Sequence, residues 1–334
     1  MNLTLIIPTY DRAHLLSLCI ESILRAARPR GLCINVVVVD NNSSDDTKRV
    51  VNSFAGQPDI CVQYLLVLRR GKSAALNQAL CQVNAELVGL IDDDEEIDSA
   101  WFQVIHRELS ADPGLDYIGG PCVPNWEQAQ PDWFPSAYCG VVGIALRPER
   151  VPFSPEFNGM LMGGNAVIRN STLQRVLPYP EHLGKIGNTI RSGEDEVIYH
   201  RLLEIGARGV VVPDMIIRHR IPAQRLTKRY FRRWVVGRGI SVGSQMRDRG
   251  FEEPGLFGIP RYMFGAAVRG CGLMVSSRSP RERFTAQLSI FDCLATLYGR
   301  HQYRLSEHPE TCDRGCYEAG APAKQSRPTS TQCS

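Results

Sequence analysis

Residues 87–98 read Leu-Val-Gly-Leu-Ile-Asp-Asp-Asp-Glu-Glu-Ile-Asp. An apolar run of strand length stops abruptly at Asp92, Asp93 and Asp94, with two glutamates behind them. Between helical patterns, such a run predicts a strand buried in a parallel sheet. Its carboxylates then stand at the C-terminal edge of that sheet, where open α/β folds bind ligands. Adjacent carboxylates repel one another and are costly to hold together without a compensating cation. Mg²⁺ or Mn²⁺, hard ions that share their coordination with substrate phosphates, would meet that need. An acidic turn capping a helix near Asp98 is the plainer alternative, and the rest of the chain has to decide between them.

Upstream, residues 3–8 form an apolar run ending in Pro8-Thr9-Tyr10-Asp11-Arg12. Asp11 is placed to cap a helix reaching about Arg28, with Leu16, Cys19, Ile20 and Ile23 on its inner face. Residues 33–39 give a second strand, and the polar cluster 40–46 caps a helix through about Phe54. Residues 61–68 give a third, after which Arg69-Arg70-Gly71-Lys72-Ser73 turns into a helix over 74–83. Strands alternating with helices through short connections predict a parallel sheet with right-handed crossovers. A polar cluster closes every strand: residues 9–12, 40–42, 69–72 and 92–94. Their recurrence puts a ligand site along one sheet edge. A dinucleotide-binding domain would need a glycine fingerprint after the first strand, and Pro8-Thr9-Tyr10 occupies that place.

The ordered set Ile6-Ile7-Pro8-Thr9-Tyr10-Asp11-Arg12, Val38-Val39-Asp40-Asn41-Asn42-Ser43-Ser44-Asp45, Arg70-Gly71-Lys72 and Asp92–Asp94 resembles family 2 glycosyltransferases of the GT-A fold. That fold is α/β, a Rossmann-like, mostly parallel sheet flanked by helices. The resemblance covers about residues 1–220 and implies an inverting enzyme with a nucleotide-sugar donor, most readily a UDP-sugar. It implies that Pro8, Thr9 and Tyr10 line the nucleoside pocket, with Arg12, Asn42 and Lys72 in the same donor site. Asp40 would accept a hydrogen bond from the base. Asp92 and Asp94 would be the DxD pair around Asp93, with Asp94 on a Mg²⁺ or Mn²⁺ ion and Asp92 nearer the ribose or a metal-bound water.

Residues 113–169 are irregular and rich in Pro, Gly and aromatics, among them Trp126 and Trp133. Those rings either stack on sugar faces or pack in the core. Met160-Leu161-Met162-Gly163-Gly164-Asn165 resembles the family's later core strand, which implies that Gly164 and Asn165 face sugar and acceptor. Gly193-Glu194-Asp195-Glu196 opens a helix ending near Gly206, and its acids suit the helix dipole. By resemblance this is the family's Glu-Asp motif, so Asp195, beside Glu194, would be the general base for the acceptor hydroxyl. Lys72 or an arginine would then stabilise the leaving diphosphate. His219, after two short strands, is either a structural histidine or a metal or phosphate contact.

From Arg218 to Arg249 ten Lys/Arg stand against the single acid Asp248, interleaved with Tyr230, Phe231 and Trp234. That mixture suits an anionic membrane surface, and no nucleic-acid motif surrounds it. Tyr230 stands where processive relatives carry the Gln of a QxxRW element, so the match is partial. The net charge of +3 is too small to name a partner, and only local clusters carry a charge argument. Eleven cysteines are scattered singly, as expected of reduced thiols in a cytosolic protein; only Cys312 and Cys316 approach a metal spacing. The N-terminus lacks the basic region of a signal peptide, and residues 256–275 are broken by Arg261 and Arg269.

The expected organisation is a GT-A domain over 1–225, a basic helical appendage over 226–300 and a disordered tail over 301–334. The expected protein is cytoplasmic, peripheral on the inner membrane face, and acts on a lipid-linked or cell-surface glycan. A polyprenyl-phosphate glycosyltransferase and a non-catalytic nucleotide-sugar or glycan binder are the alternatives.

Overall fold

The computed structural model describes residues 1–57, 60–185, 193–249 and 255–301. The first half builds β1 (Asn2–Thr9), α1 (Ala13–Arg25), β2 (Cys33–Asp40), α2 (Thr47–Ser53), β3 (Ile60–Leu66), α3 (Lys72–Leu80) and β4 (Leu87–Leu90). β1 lies between β2 and β4 with β3 outside β2, all parallel. Leu5, Ile7, Val36 and Val38 pack into the core on one face of this sheet. Ile6, Val39 and Val88 pack into the core on the other. Burial on both faces is why β1, β2 and β4 read as continuous apolar runs, whereas β3 at the sheet edge exposes Cys61, Gln63 and Leu66. Thr9 pairs with Asp40, so the polar residues that follow both strands emerge at one level.

The second half continues with β5 (Glu95–Ile97), α4 (Trp101–Ala111), β6 (Tyr117–Gly119), β7 (Cys122–Trp126), β8 (Ala166–Arg169), α5 (Asn170–Val176), α6 (Glu194–Glu204), β9 (Gly209–Val211) and β10 (Ile217–Ile221). The seven-stranded sheet runs β3-β2-β1-β4-β8-β6-β9, with β8 antiparallel to both neighbours. β5, β10 and β7 form a separate small sheet.

Several boundaries differ from the sequence expectation. The two glutamates after the aspartates do not lead into a helix at Asp98. They open β5, which pairs antiparallel with β10 and sets Glu95 opposite His219. Asp98 makes the following turn, accepting the Ala100 N–H at 3.0 Å, and α4 starts at Trp101. Asp11 does not cap α1. It takes φ 50°, and its carboxylate accepts the Ser44 N–H at 2.6 Å. The cap comes from the next loop, where Asp45 accepts the Ala13 N–H at 2.9 Å. α3 begins at Lys72, after Gly71 at φ 123°, two residues earlier than its periodicity indicates.

The chain ends, among the described residues, in α7 (Lys228–Arg249), the hairpin β11 (Gly255–Leu256) and β12 (Ile259–Pro260), α8 (Arg261–Ser276) and α9 (Pro280–His301). Phe231 and Val235 of α7 are buried with Phe284 and Leu288 of α9. Trp133 meets Phe231 and Phe284 edge-on at 5.7 and 5.1 Å between centroids, and Trp126 meets Phe134 at 5.5 Å. These aromatics therefore tie the helices to the loop before β8. They are packing residues, which corrects the sugar-stacking option for Trp126 and Trp133 and the membrane role read for Phe231. α7 and α9 approach closely at glycines: a Cβ on Gly243 would strike the Thr296 carbonyl. No described helix is long and apolar enough to cross a membrane. Residues 302–334, with Cys312 and Cys316, lie outside the described residues.

Candidate active site

A cleft of about 500 Å³ opens at the C-terminal edge of the parallel strands, large enough for a nucleotide-sugar. Each predicted cluster reaches it. Pro8 and Thr9 end β1 and Tyr10, Asp11 and Arg12 follow it, Asn41 comes after β2, Lys72 at the start of α3, and Asp92, Asp93 and Asp94 after β4. Glu194 arrives at the start of α6, His219 from β10, and Lys185 and Arg225 from loops.

Asp93 is 4% exposed and accepts from Thr9 Oγ1 and Arg12 Nη1, both at 2.8 Å. Burial raises its pKa to about 6 even with Arg12 beside it. Asp94 accepts from Arg225 Nη2 at 2.8 Å and Arg12 Nη1 at 3.1 Å. Burial opposes its charge, yet His219, Arg225 and Arg12 together hold its pKa well below the usual carboxylate range.

Asp92 faces Lys72, whose Nζ lies 2.8 Å from its Oδ1. The same Nζ is 3.8 Å from both Glu194 Oε1 and Asp195 Oδ2. One ammonium therefore links the carboxylate after β4 to the two acids opening α6. Burial acts against its charge, but Asp195, Asp92 and Glu194 hold its pKa well above the ordinary lysine value. Burial and the Asp195 charge raise Glu194 to about 7. Burial also raises Asp195, against the pull of Lys72.

Behind this surface Glu95 accepts the Asp92 N–H at 2.9 Å. Burial and the Asp92 charge raise its pKa well above the usual range, and its hydrogen bond fixes the aspartate turn. Gly163 and Gly164 explain how so many carboxyls fit. A Cβ on Gly163 would strike the Asp195 carboxylate, and one on Gly164 would strike that of Glu95.

Four residues expected in the donor or acceptor site sit elsewhere. Asn165 is fully buried, its amide nitrogen donating to the Pro121 and Met215 carbonyls at 3.0 and 2.7 Å. Its oxygen accepts from Trp101 Nε1 at 3.1 Å, so it fastens the two sheets together. Gly164 backs Glu95 rather than the cleft. Asp40 is 2% exposed with both oxygens partnered, by the Ser43 N–H at 2.8 Å and the Tyr64 hydroxyl at 2.6 Å. Asn42 is exposed at φ 65°, a conformation Asn tolerates, and Asn41 lines the cleft instead. Asn41 accepts the Gly71 N–H at 2.7 Å and so sets the loop before Lys72.

Arg225, Lys185 and Glu95 were not expected here. Arg225 was one of ten basic residues with nothing local to single it out, and its partner Asp94 lies 131 positions away. Lys185 holds the Lys72 N–H through its own carbonyl at 3.0 Å. Burial, Arg12 and Arg225 lower the pKa of its side chain.

The donor set fits a divalent ion shared with substrate. Among the described residues no three His, Cys, Asp or Glu side chains form a closed cage. Asp94 Oδ1 and His219 Nε2 stand 3.4 Å apart, and two protein donors completed by phosphate oxygens suit Mg²⁺ or Mn²⁺. Nε2 faces both that acceptor and the Arg225 donor, at 3.2 Å, a conflict that a cation beside Asp94 would remove. The lining holds Asp11, Asp92, Asp93, Asp94 and Glu194 against Arg12, Lys72, Lys185 and Arg225. A diphosphate adds further negative charge, which a divalent cation offsets.

A sequence profile of the glycosyl transferase family 2 matches residues 4–177, more than half of the 334-residue chain. The chain belongs to this family. A GalNAc(5)-diNAcBac-PP-undecaprenol beta-1,3-glucosyltransferase of Campylobacter jejuni is 32% identical to this glycosyltransferase over 124 residues, 36% of this chain and 38% of that protein. Glycosyltransferase AglE of Haloferax volcanii is 25% identical over 249 residues, 74% of this chain and 75% of that protein. The match thus spans less than half the length of the first relative. A mannosyltransferase of Pyrobaculum calidifontis, solved in complex with GDP-Man and Mn²⁺, superposes with a TM-score of 0.57 at 20% identity, covering 89% of this chain and 87% of that one. At that identity the likeness establishes the fold, which is GT-A.

Proposed function

We propose that this family 2 glycosyltransferase moves a sugar from a nucleoside diphosphate, preferably UDP, to a hydroxyl of a lipid-linked or cell-surface glycan, with inversion at the anomeric carbon. The observation that carries the proposal is the position of Lys72 Nζ, 2.8 Å from Asp92 and 3.8 Å from Asp195. It sets the donor-side carboxylates and the acid of the Glu-Asp motif across one narrow gap, as single displacement requires.

Pro8, Thr9 and Tyr10 hold the nucleoside, with Asn41 on the facing wall. Asp40 supports that wall through Tyr64 and Ser43 rather than by offering a free oxygen. Asp94 and His219, with Asp92, would hold Mn²⁺ or Mg²⁺, which would supply positive charge to offset the departing diphosphate. Arg12, Arg225 and Lys185 add fixed charge there. Asp195 takes the proton of the attacking hydroxyl, and its raised pKa makes it a stronger base than an exposed aspartate. Lys72 keeps it ionised, and Glu194 shares that cation. The non-catalytic alternative would leave this set of carboxylates without a use. The GDP-Man and Mn²⁺ in the solved mannosyltransferase support a nucleotide-sugar and a divalent ion here.

A second cleft of about 680 Å³ adjoins the first and favours an acceptor carrying phosphate. It shares Arg12, Lys185 and Arg225 with the donor cleft and adds Arg220 and Arg233, against Asp94 and Glu127. The diphosphate named in the Campylobacter relative's acceptor is a group of that chemistry. A lipid-linked acceptor would place the enzyme at the cytoplasmic membrane face. Purified protein given Mn²⁺ and a panel of nucleotide-sugars should release nucleoside diphosphate from one of them, and a chelator should stop the release. Failure to consume any donor would contradict the proposal.

A further inference from the structure

We propose that α8 and the hairpin before it lie in the interface of an anionic lipid bilayer. This deepens the lipid-linked reading above by naming the surface that meets the membrane, and it can fail while the sugar-transfer chemistry stands.

The inner side of α8 is used by the fold. Met263 is buried, and a Cβ on Gly270 would lie 2.9 Å from the Ala286 carbonyl of α9. The outer side is apolar and open: Val268 is 72% exposed, Leu273 43% and Val275 90%. Val268 and Val275 stand two turns apart and so share one face of the helix. The preceding hairpin turns at Phe257 and Gly258, with φ of 50° and 75°. This is the left-handed pair typical of two-residue hairpins, in which a bulky residue is disfavoured. Phe257 nonetheless occupies the tip and is 69% exposed. An aromatic kept both strained and exposed beside an open apolar helix face points to an apolar phase.

Charge selects the occupant. Residues 255–281 contain no Asp or Glu but include Arg261, Arg269, Arg278 and Arg281. A second copy docking face to face would bring the same positive charge against itself. An anionic headgroup layer supplies the complement, and arginines flanking exposed Val, Leu and Phe are the composition of an interfacial helix. At 16 residues α8 spans about 24 Å and lies on a bilayer rather than crossing it. The basic stretch at the start of α7 is a poorer candidate. Phe231 is buried, and Arg232 is engaged with Gln287 at 2.9 Å and lies over the Phe284 ring.

Flotation of the full chain with vesicles tests this. Wild type should float with phosphatidylglycerol–phosphatidylcholine vesicles, much less with phosphatidylcholine alone, and progressively less as salt rises. The double variant Val268→Asp, Val275→Asp should lose at least about tenfold in vesicle binding, since apolar burial and charge both turn unfavourable. Its melting temperature and donor hydrolysis should match wild type, because both side chains already face water. Arg261→Glu with Arg269→Glu should lose the preference for anionic vesicles. Wild type that stays in the soluble fraction overturns the proposal, as does a Val268→Asp, Val275→Asp protein that floats like wild type. A vesicle-free dimer that this variant dissociates would assign the face to a second copy, and vesicle binding that appears only after removal of residues 302–334 would assign it to that segment. Either overturns the proposal, and donor hydrolysis scored on the same samples reports separately on the catalytic reading.

Discussion

In the cleft, Asp93, Asp94 and Glu194 are almost closed off from water, and each faces a cation. On the outer face of α8, Val268 and Val275 stand open to water with arginines nearby and no acid between residues 255 and 281. The first region is costly to assemble and fixed by its partners: remove one charge and its neighbours remain buried without compensation. The second costs the fold little to change, because Val268 and Val275 already stand largely in water. Substitutions in the cleft should therefore alter chemistry and pH response together, whereas those on α8 should alter only where the protein goes.

The largest expected effect is that of Asp94→Asn, which removes the carboxylate shared by Arg12, Arg225 and His219. Donor hydrolysis should fall by about 10³ or more, and nucleotide affinity measured by calorimetry should no longer respond to Mn²⁺. Unchanged metal-dependent affinity would detach Asp94 from the donor site. Phe231→Ala sharpens the contrast from another direction, since it lies in neither region but in the aromatic seam joining α7 to α9. It should cost about 3–5 kcal/mol of stability in denaturant unfolding while the surviving folded protein binds nucleotide normally.

Lys72→Met should lower donor hydrolysis by roughly 10² through loss of the bridging charge. Lys72 is also the group that pulls the Asp195 and Glu194 pKa values down against burial. The acidic limb of the pH–rate profile should therefore move to higher pH in this variant. A limb that stays in place would mean that another group is the base.

The smallest effect concerns Glu194 in the metal-free protein. Burial and the Asp195 charge push its carboxyl up to about 7 in the fold from an ordinary 4.5, so the folded state holds its proton more tightly than the unfolded state. Its contribution to stability is fully present below about pH 4.5 and is lost as pH rises through 7. Glu194→Gln should reduce that decline by on the order of 1–3 kcal/mol, read from unfolding curves at pH 5 and 8. An identical decline in wild type and variant would place the titration elsewhere.

The difference between regions also explains what the sequence discloses. β1, β2 and β4 are legible because both of their faces pack into the core, which leaves apolar runs ending in polar clusters; β3, at the sheet edge, exposes Cys61, Gln63 and Leu66. The aspartates and the Glu-Asp pair are legible because few other roles need acids at those places. β5 is not, since three residues give no periodicity and the strand exists only through β10, 120 positions later. Arg225 is hidden for the same reason: what distinguishes it from other cations is a partner remote in sequence. Asn165 and Asp40 show the converse. Their residue types suggested ligand contacts, but complete burial and full sets of internal hydrogen bonds give them structural work. Tyr230, Phe231 and Trp234 resembled an interfacial cluster until the edge-on contacts from Trp133 and Phe284 placed Phe231 inside.

On the proposed reading the two walls joined by Lys72 divide the labour, with the Asp92–Asp94 side holding the donor and Asp195 taking the proton. Asp195→Asn, assayed for donor hydrolysis and for nucleotide affinity by calorimetry in Mn²⁺ on one preparation, tests it most directly. Nucleotide affinity should stay within about threefold of wild type and the hydrolysis rate should fall by roughly 10² or more, as loss of a general base implies. Parallel losses in affinity and rate would contradict it and make Asp195 part of the donor-binding wall.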